Sequence, residues 1–126
     1  NHTAMSNTKR MLEYLRSEGL QPTEESFGIT FRYQMKNYVY FNNDEDPEFF
    51  QLVMPGIYDV NDENRDFVYR AMDKMNAGVK VAKASLVNDE SVWLYCEMLI
   101  DSTPVFSEIV PRALRILQHA YNQFGE

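Results

Sequence analysis

The sequence predicts an α+β domain in the order α-β-β-β-α-β-β-α, with helices packed on a five-stranded, mainly antiparallel sheet. Three observations carry this. Apolar residues recur at helical spacing in three separate segments. Between them the apolar period drops to two, and short polar connections suited to hairpins separate those runs. The 126 residues contain no repeat, low-complexity stretch or linker. One domain of that length buries roughly two-thirds of the surface that its unfolded chain exposes.

Met11, Leu12 and Leu15 follow the capping residues Ser6, Asn7 and Thr8, and Gly19, Leu20 and Pro22 close the pattern. A first helix is therefore expected over about 7–18. From Phe27 the alternation is strict: Phe27, Ile29, Phe31, Tyr33 and Met35 take one face of a strand. The strand YVYFN follows, with Lys36-Asn37 read as the turn. A two-residue loop would pair Tyr33 with Tyr40, and a three-residue loop would pair Tyr33 with Phe41. Val39 and Phe41 are expected inside, because a tyrosine hydroxyl is easier to satisfy at a surface. Tyr38 and Tyr40 then face outward.

A third strand, FFQLVM at 49–54, ends at Pro55-Gly56. The stretch DVNDENRDFVYR at 59–70 could open a calcium loop or a helix. Counted from Asp59, the sixth position should be glycine and is Asn64; the twelfth should be glutamate and is Arg70. A helix start explains the stretch better. Asn61 or Asp59 caps it, Asp62 and Glu63 meet the positive end of the helix dipole, and Phe67, Val68, Ala71, Met72 and Met75 form its apolar stripe. Strands at 79–87 and 91–100 follow, joined by Asn88-Asp89-Glu90. Thr103 is the expected cap of a last helix with Pro104 at its first position. Its stripe runs from Phe106 to Phe124, and Pro111 inside it should kink or split the helix near residue 110.

The composition bounds the function. Nineteen carboxylates against twelve cations leave a formal charge of −7, which opposes general binding to nucleic acid or anionic membrane. No apolar run reaches the ~18 residues of a membrane span, and no leader pattern is visible, so a cytoplasmic location is expected. NHTA at 1–4 reads as an expression remnant before Met5, leaving 5–126 as the domain. Cys96 lies in an apolar run and reads as an inert buried thiol. His119 reads as a helix-surface histidine, so no Cys–His pair is expected. The acidic connection NNDEDPE at 42–48 reads as a solvated loop that blunts sheet-edge pairing. No glycine-rich phosphate loop is present, and Met72, Met75 and Met98 read as core. Catalytic residues, metal ligands and cofactors are all expected to be absent.

The last strand is more informative. Val92, Leu94, Cys96, Met98 and Ile100 form one apolar row. The opposite row also carries large residues, Trp93, Tyr95 and Leu99, more than a solvated face needs. Such residues are enriched at protein interfaces. With Tyr38 and Tyr40 they form the candidate interface; the competing reading is that a helix covers them.

The segment LVMPGIYDVNDENRDFVYRAMDKMN, the strand VKVAKASLV, the NDES turn and VWLYCEMLI together resemble the YbjN-like family, labelled bacterial sensory transduction regulators. The element order is similar to the type III secretion chaperone-like fold. The resemblance covers most of residues 7–124. It implies a small, acidic, often dimeric domain with no catalytic residues to carry over. The expected function is a non-enzymatic interaction module, a homodimer acting as regulator or adaptor. A secretion-type chaperone holding an extended client segment is the second expectation. A metal-binding protein or enzyme using the loops 42–48 and 59–66 is the third.

Overall fold

Residues 5–124 are described in a computed structural model. They form α1 (Asn7–Ser17), β1 (Thr23–Glu25), β2 (Gly28–Tyr33), β3 (Lys36–Phe41), β4 (Phe49–Asp59), α2 (Arg65–Gly78), β5 (Ala82–Val87), β6 (Ser91–Leu99) and α3 (Phe106–Gln123). The predicted α+β architecture holds, with six strands rather than five, in the antiparallel order β1-β2-β3-β4-β6-β5. The additional strand, β1, is Thr-Glu-Glu and wholly exposed, so it carries no apolar alternation by which to recognise it. The expected remnant at 1–4 lies outside the described residues.

α1 starts and stops as its sequence dictates. The Ser6 hydroxyl accepts from the Lys9 N–H at 3.1 Å. At the other end the Leu20 N–H reaches Leu15 O and the Gly19 N–H reaches Arg16 O, the two bonds of a Schellman motif. Gly19 has the φ of 76° that this motif places after the cap. The helix has no acidic residue in its first turn. Asp44, from the acidic connection, supplies one from outside, accepting from the Thr8 N–H at 3.2 Å and the Thr8 hydroxyl at 3.0 Å. That connection is therefore partly a tertiary cap rather than only a solvated loop.

The β2–β3 hairpin corrects the expected register. Gln34 and Met35 form the turn, with φ of 49° and 68°, and Tyr33 pairs with Lys36. Phe31 then faces Tyr38 and Ile29 faces Tyr40. Tyr38 and Tyr40 are 0% and 1% exposed, whereas Val39 and Phe41 lie on the other face. The physical reason is aromatic packing. Tyr38 stacks on Phe31 at 5.4 Å, and Tyr40 packs against Phe50 at 5.7 Å. Each ring buries on the order of 150–250 Å² of surface, which outweighs the difficulty of placing a hydroxyl. Met35, expected inside, is 85% exposed at the turn, and Phe27 packs on Phe41 instead of entering the core.

β4 does not end at Pro55-Gly56. It passes through them as an irregularity between Met54 and Tyr58 and resumes pairing with β6. The acidic stretch before α2 folds as a reciprocal amide pair. The Asn61 side chain accepts from the Asn64 N–H, and the Asn64 side chain accepts from the Asn61 N–H, both at 2.9 Å. This is capping-box geometry in the turn before the helix proper, which begins at Arg65 with only Asp66 acidic in its first turn. Asp62 pairs with Arg65 at 2.6 Å, and Arg65 also reaches Asp89 in the β5–β6 turn at 2.7 Å. Phe67, expected in the stripe, is 39% exposed and packs beside Tyr58. α3 begins at Phe106 with no side-chain cap, because Val105 rather than Thr103 holds the cap position and has no acceptor; the Thr103 N–H donates to Asp101 instead. It runs as one helix through Pro111 to Gln123, so of the expected kink or split the split does not occur.

All three helices lie on one face of the sheet. Their buried residues, among them Met11, Leu15, Val68, Met75, Val110 and Leu117, form one cluster with Ile29, Tyr40, Phe50, Leu52, Leu94 and Cys96. Each large side chain in that cluster contributes roughly 1.5–3 kcal/mol relative to exposure. Among the described residues no helix is long and apolar enough to cross a membrane.

A candidate interaction face on the open side of the sheet

Strand alternation places a second set of side chains on the face without helices. Pairing registers align Thr30, Val39, Val53, Tyr95 and Lys83 across five neighbouring strands. Trp93 lies one step along, its ring stacked on Tyr95 at 6.5 Å between centroids. The Trp93 Nε1–H donates to Ser91 Oγ at 3.2 Å, which fixes the indole edge. Phe49 pairs with Leu99 at the far end of the same face. Val53 is fully buried and Val39 is 8% exposed, yet neither belongs to the helix-side core. Leu99 is 83% exposed.

Two charges at the centre of this face pair with each other. Lys83 Nζ sits 2.7 Å from a Glu97 carboxylate oxygen and 5.4 Å from the centre of the Tyr95 ring. The other Glu97 oxygen accepts from the Gln51 amide at 2.8 Å. The result is an aromatic and aliphatic surface crossed by a polar network of Lys83, Glu97 and Gln51. Surfaces of this make-up bury readily against protein.

Of the five residues expected at an interface, Trp93, Tyr95 and Leu99 come together here. Tyr38 and Tyr40 do not, because the hairpin register turns both into the core. Burial pushes both hydroxyls up to about 12. The rest of the face is Val39 and Phe41, expected in the core, and Phe49 and Val53, which sequence reasoning did not single out. The alternation of Phe49 and Val53 was visible in FFQLV, but only the pairing of β3, β4 and β6 brings all four onto the face of Trp93.

The groups considered for chemistry are placed apart. Cys96 is fully buried on the core face, and burial, reinforced by the charge of Glu97, pushes its thiol up to about 11. His119 is exposed on α3. Among the described residues, no three His, Cys, Asp or Glu side chains gather to hold a metal ion.

Three helices against one side of a six-stranded antiparallel sheet, the other side open, define an α+β domain of YbjN-like fold. One solved structure with this likeness is that of YbjN from E. coli, described as a candidate transcription regulator. It superposes with a TM-score of 0.67 over 96% of this chain and 93% of that one, at 8% sequence identity. No protein-family model and no curated protein sequence matches the chain. The fold implied by the sequence resemblance is therefore the fold observed.

Proposed function

We propose that the chain is a protein-interaction module without catalysis of its own, an adaptor or regulator that docks through the open face of its sheet. The observation that carries this reading is the stacked pair Trp93 and Tyr95, half-buried on the face without helices, with Leu99 83% exposed beyond it. A second copy of the chain is the first occupant we assign. Lys83 and Glu97 are already paired within each copy, so neither brings an unpaired charge into such a contact. The likeness to a protein described as a transcription regulator supports the regulatory reading by fold alone.

Light scattering across roughly micromolar to hundreds of micromolar concentration tests the dimer. Replacing Trp93 and Tyr95 by Ser should shift the association equilibrium to monomer while leaving the far-UV spectrum unchanged. A wild-type chain that stays monomeric throughout removes the dimer. Loss of the native spectrum in the variant would make these residues part of the fold rather than of a docking surface.

The reading as a chaperone for an extended client draws on a different observation. A trough of about 610 Å³, lined by Leu20, Thr23, Thr30, Val39 and Pro55, extends the open face toward β1. A client strand seated there would slow hydrogen exchange at β1–β3 and leave exchange in β6 unchanged.

A further inference from the structure

A groove of about 600 Å³ lies between α3 and the connection from α2 to β5, on the helix side of the molecule. Its lining is Gly78, Val79, Lys80, Arg112, Arg115, Ile116 and His119, with no carboxylate among the described residues. Arg112, Arg115 and His119 recur at i, i+3 and i+7, so one face of α3 presents all three. Lys80 approaches from the opposite wall. None of these four side chains makes an ion pair or hydrogen bond among the described residues, and all four are exposed. The chain has only twelve Lys and Arg against nineteen acids. Three of the twelve line one groove unpaired, while Arg65, at a structural junction, is held by two carboxylates.

We infer that this groove binds an acidic segment of a partner protein, with carboxylates on Arg112, Arg115 and Lys80 and an apolar side chain on Ile116 and Val79. Each arginine offers a planar fork that matches a carboxylate in two parallel hydrogen bonds. The apolar floor, which a bare inorganic anion would leave uncovered, accounts for the rest of the groove. Phosphate is the poorer fit. The groove closes on Gly78 and Val79, at the C-terminal end of α2, where the helix dipole is negative. The Val79 N–H is already committed to Met75 O at 2.9 Å, so the backbone offers no cradle there of the kind a helix N-terminus gives a phosphate. Carboxylates spaced along a peptide can keep clear of that end. A nucleic-acid backbone would need a longer basic stripe than three cations provide on a chain of charge −7. This surface lies on the opposite side of the sheet from Trp93 and Tyr95, so it does not depend on the docking proposed there.

The test is fluorescence anisotropy of a short fluorescein-labelled peptide in which Asp and Glu flank a central Leu. The purified chain should bind it saturably. Affinity should fall several-fold as salt rises from about 0.05 to 0.3 M, since the Debye length shortens over that range. The same peptide with Asn and Gln in place of its acids should bind at least about tenfold more weakly. The double variant Arg112→Glu, Arg115→Glu should lose binding by at least about tenfold with an unchanged far-UV spectrum. Lys80→Glu, outside both helices, should weaken it in the same direction and serves if the double variant misfolds. The inference is overturned if the acidic peptide shows no saturable binding, if the amide peptide binds equally, or if charge reversal leaves affinity unchanged. It is equally overturned if inorganic phosphate or a short single-stranded DNA binds in an Arg112-dependent way and the peptide does not.

Discussion

Replacing Tyr38 by Phe is expected to stabilise the protein. The Tyr38 hydroxyl is buried with no hydrogen-bond partner among the described residues. The Gln118 side chain, close enough to ease ionisation of the phenol, donates an amide N–H to Gln34 at 2.7 Å. A buried hydroxyl left unpaired costs about 1–3 kcal/mol. Phe keeps the stack on Phe31 and the edge contact with Tyr33, and it vacates only the space of one oxygen. The net gain at pH 7 should be about 1 kcal/mol, or a melting midpoint higher by roughly 3–5 °C for a chain of this size. The alkaline limb supplies an independent reading. Burial raises the Tyr38 phenol from 10.0 to about 12, so the folded state holds this proton more tightly than the unfolded state does. The resulting stability is fully present below pH 10 and is lost as pH rises through about 12. Tyr38→Phe removes that share, so its advantage should widen between those two values. Tyr40 and Cys96 carry shifts of the same sign, and both proteins will still weaken in alkali. Urea unfolding followed by Trp93 fluorescence, at pH 7 and again above pH 10, measures both effects. A variant less stable than wild type by more than about 1 kcal/mol at pH 7 would mean the hydroxyl has a partner. Parallel alkaline limbs would mean that it does not resist ionisation.

Gly28→Ala should unfold the hairpin or cost at least about 3 kcal/mol, because its new Cβ would stand 1.9 Å from the Tyr40 carbonyl oxygen at a φ of 150°; an unchanged melting midpoint would contradict this. Asn76→Ala should cost about 1–3 kcal/mol, since the Asn76 amide satisfies both the N–H and the C=O of Ala84 on the outer edge of β5. Chemical denaturation measures that loss, and faster amide exchange at Ala84 locates it. In the native protein at pH 8, Cys96 should react with a thiol reagent only at the rate of unfolding, because its thiol is fully buried and titrates near 11. Rapid stoichiometric labelling without denaturant would refute this.

Periods were legible because they are local. The stripe Met11, Leu12, Leu15 needs only its own helix to be recognised, and so does the alternation of β6, which already separated Trp93 and Tyr95 from Cys96. The Schellman stop at Gly19 was readable for the same reason: all its partners lie within a few residues. Register was not local. Whether Tyr38 or Val39 faces the core depends on stacking with Phe31 and on Phe50, which comes from another strand. The turn residues Gln34-Met35 carry none of the Asn-Gly chemistry that would have announced them. β1 was invisible because it has no buried side chain, and exists only by pairing with β2.

By itself, then, the sequence determined the α+β class, the order of the main elements, the inert placement of Cys96 and the doubly apolar character of β6. These follow from side-chain spacing along a single segment. Only the tertiary structure decided that no helix covers Trp93, Tyr95 and Leu99, and that Val39 and Val53 join them. It alone moved Tyr38 and Tyr40 inward and set Lys80 opposite Arg112 and Arg115 across a groove. Each of those outcomes requires two segments distant in the chain to meet, and spacing within one segment carries no record of its neighbour.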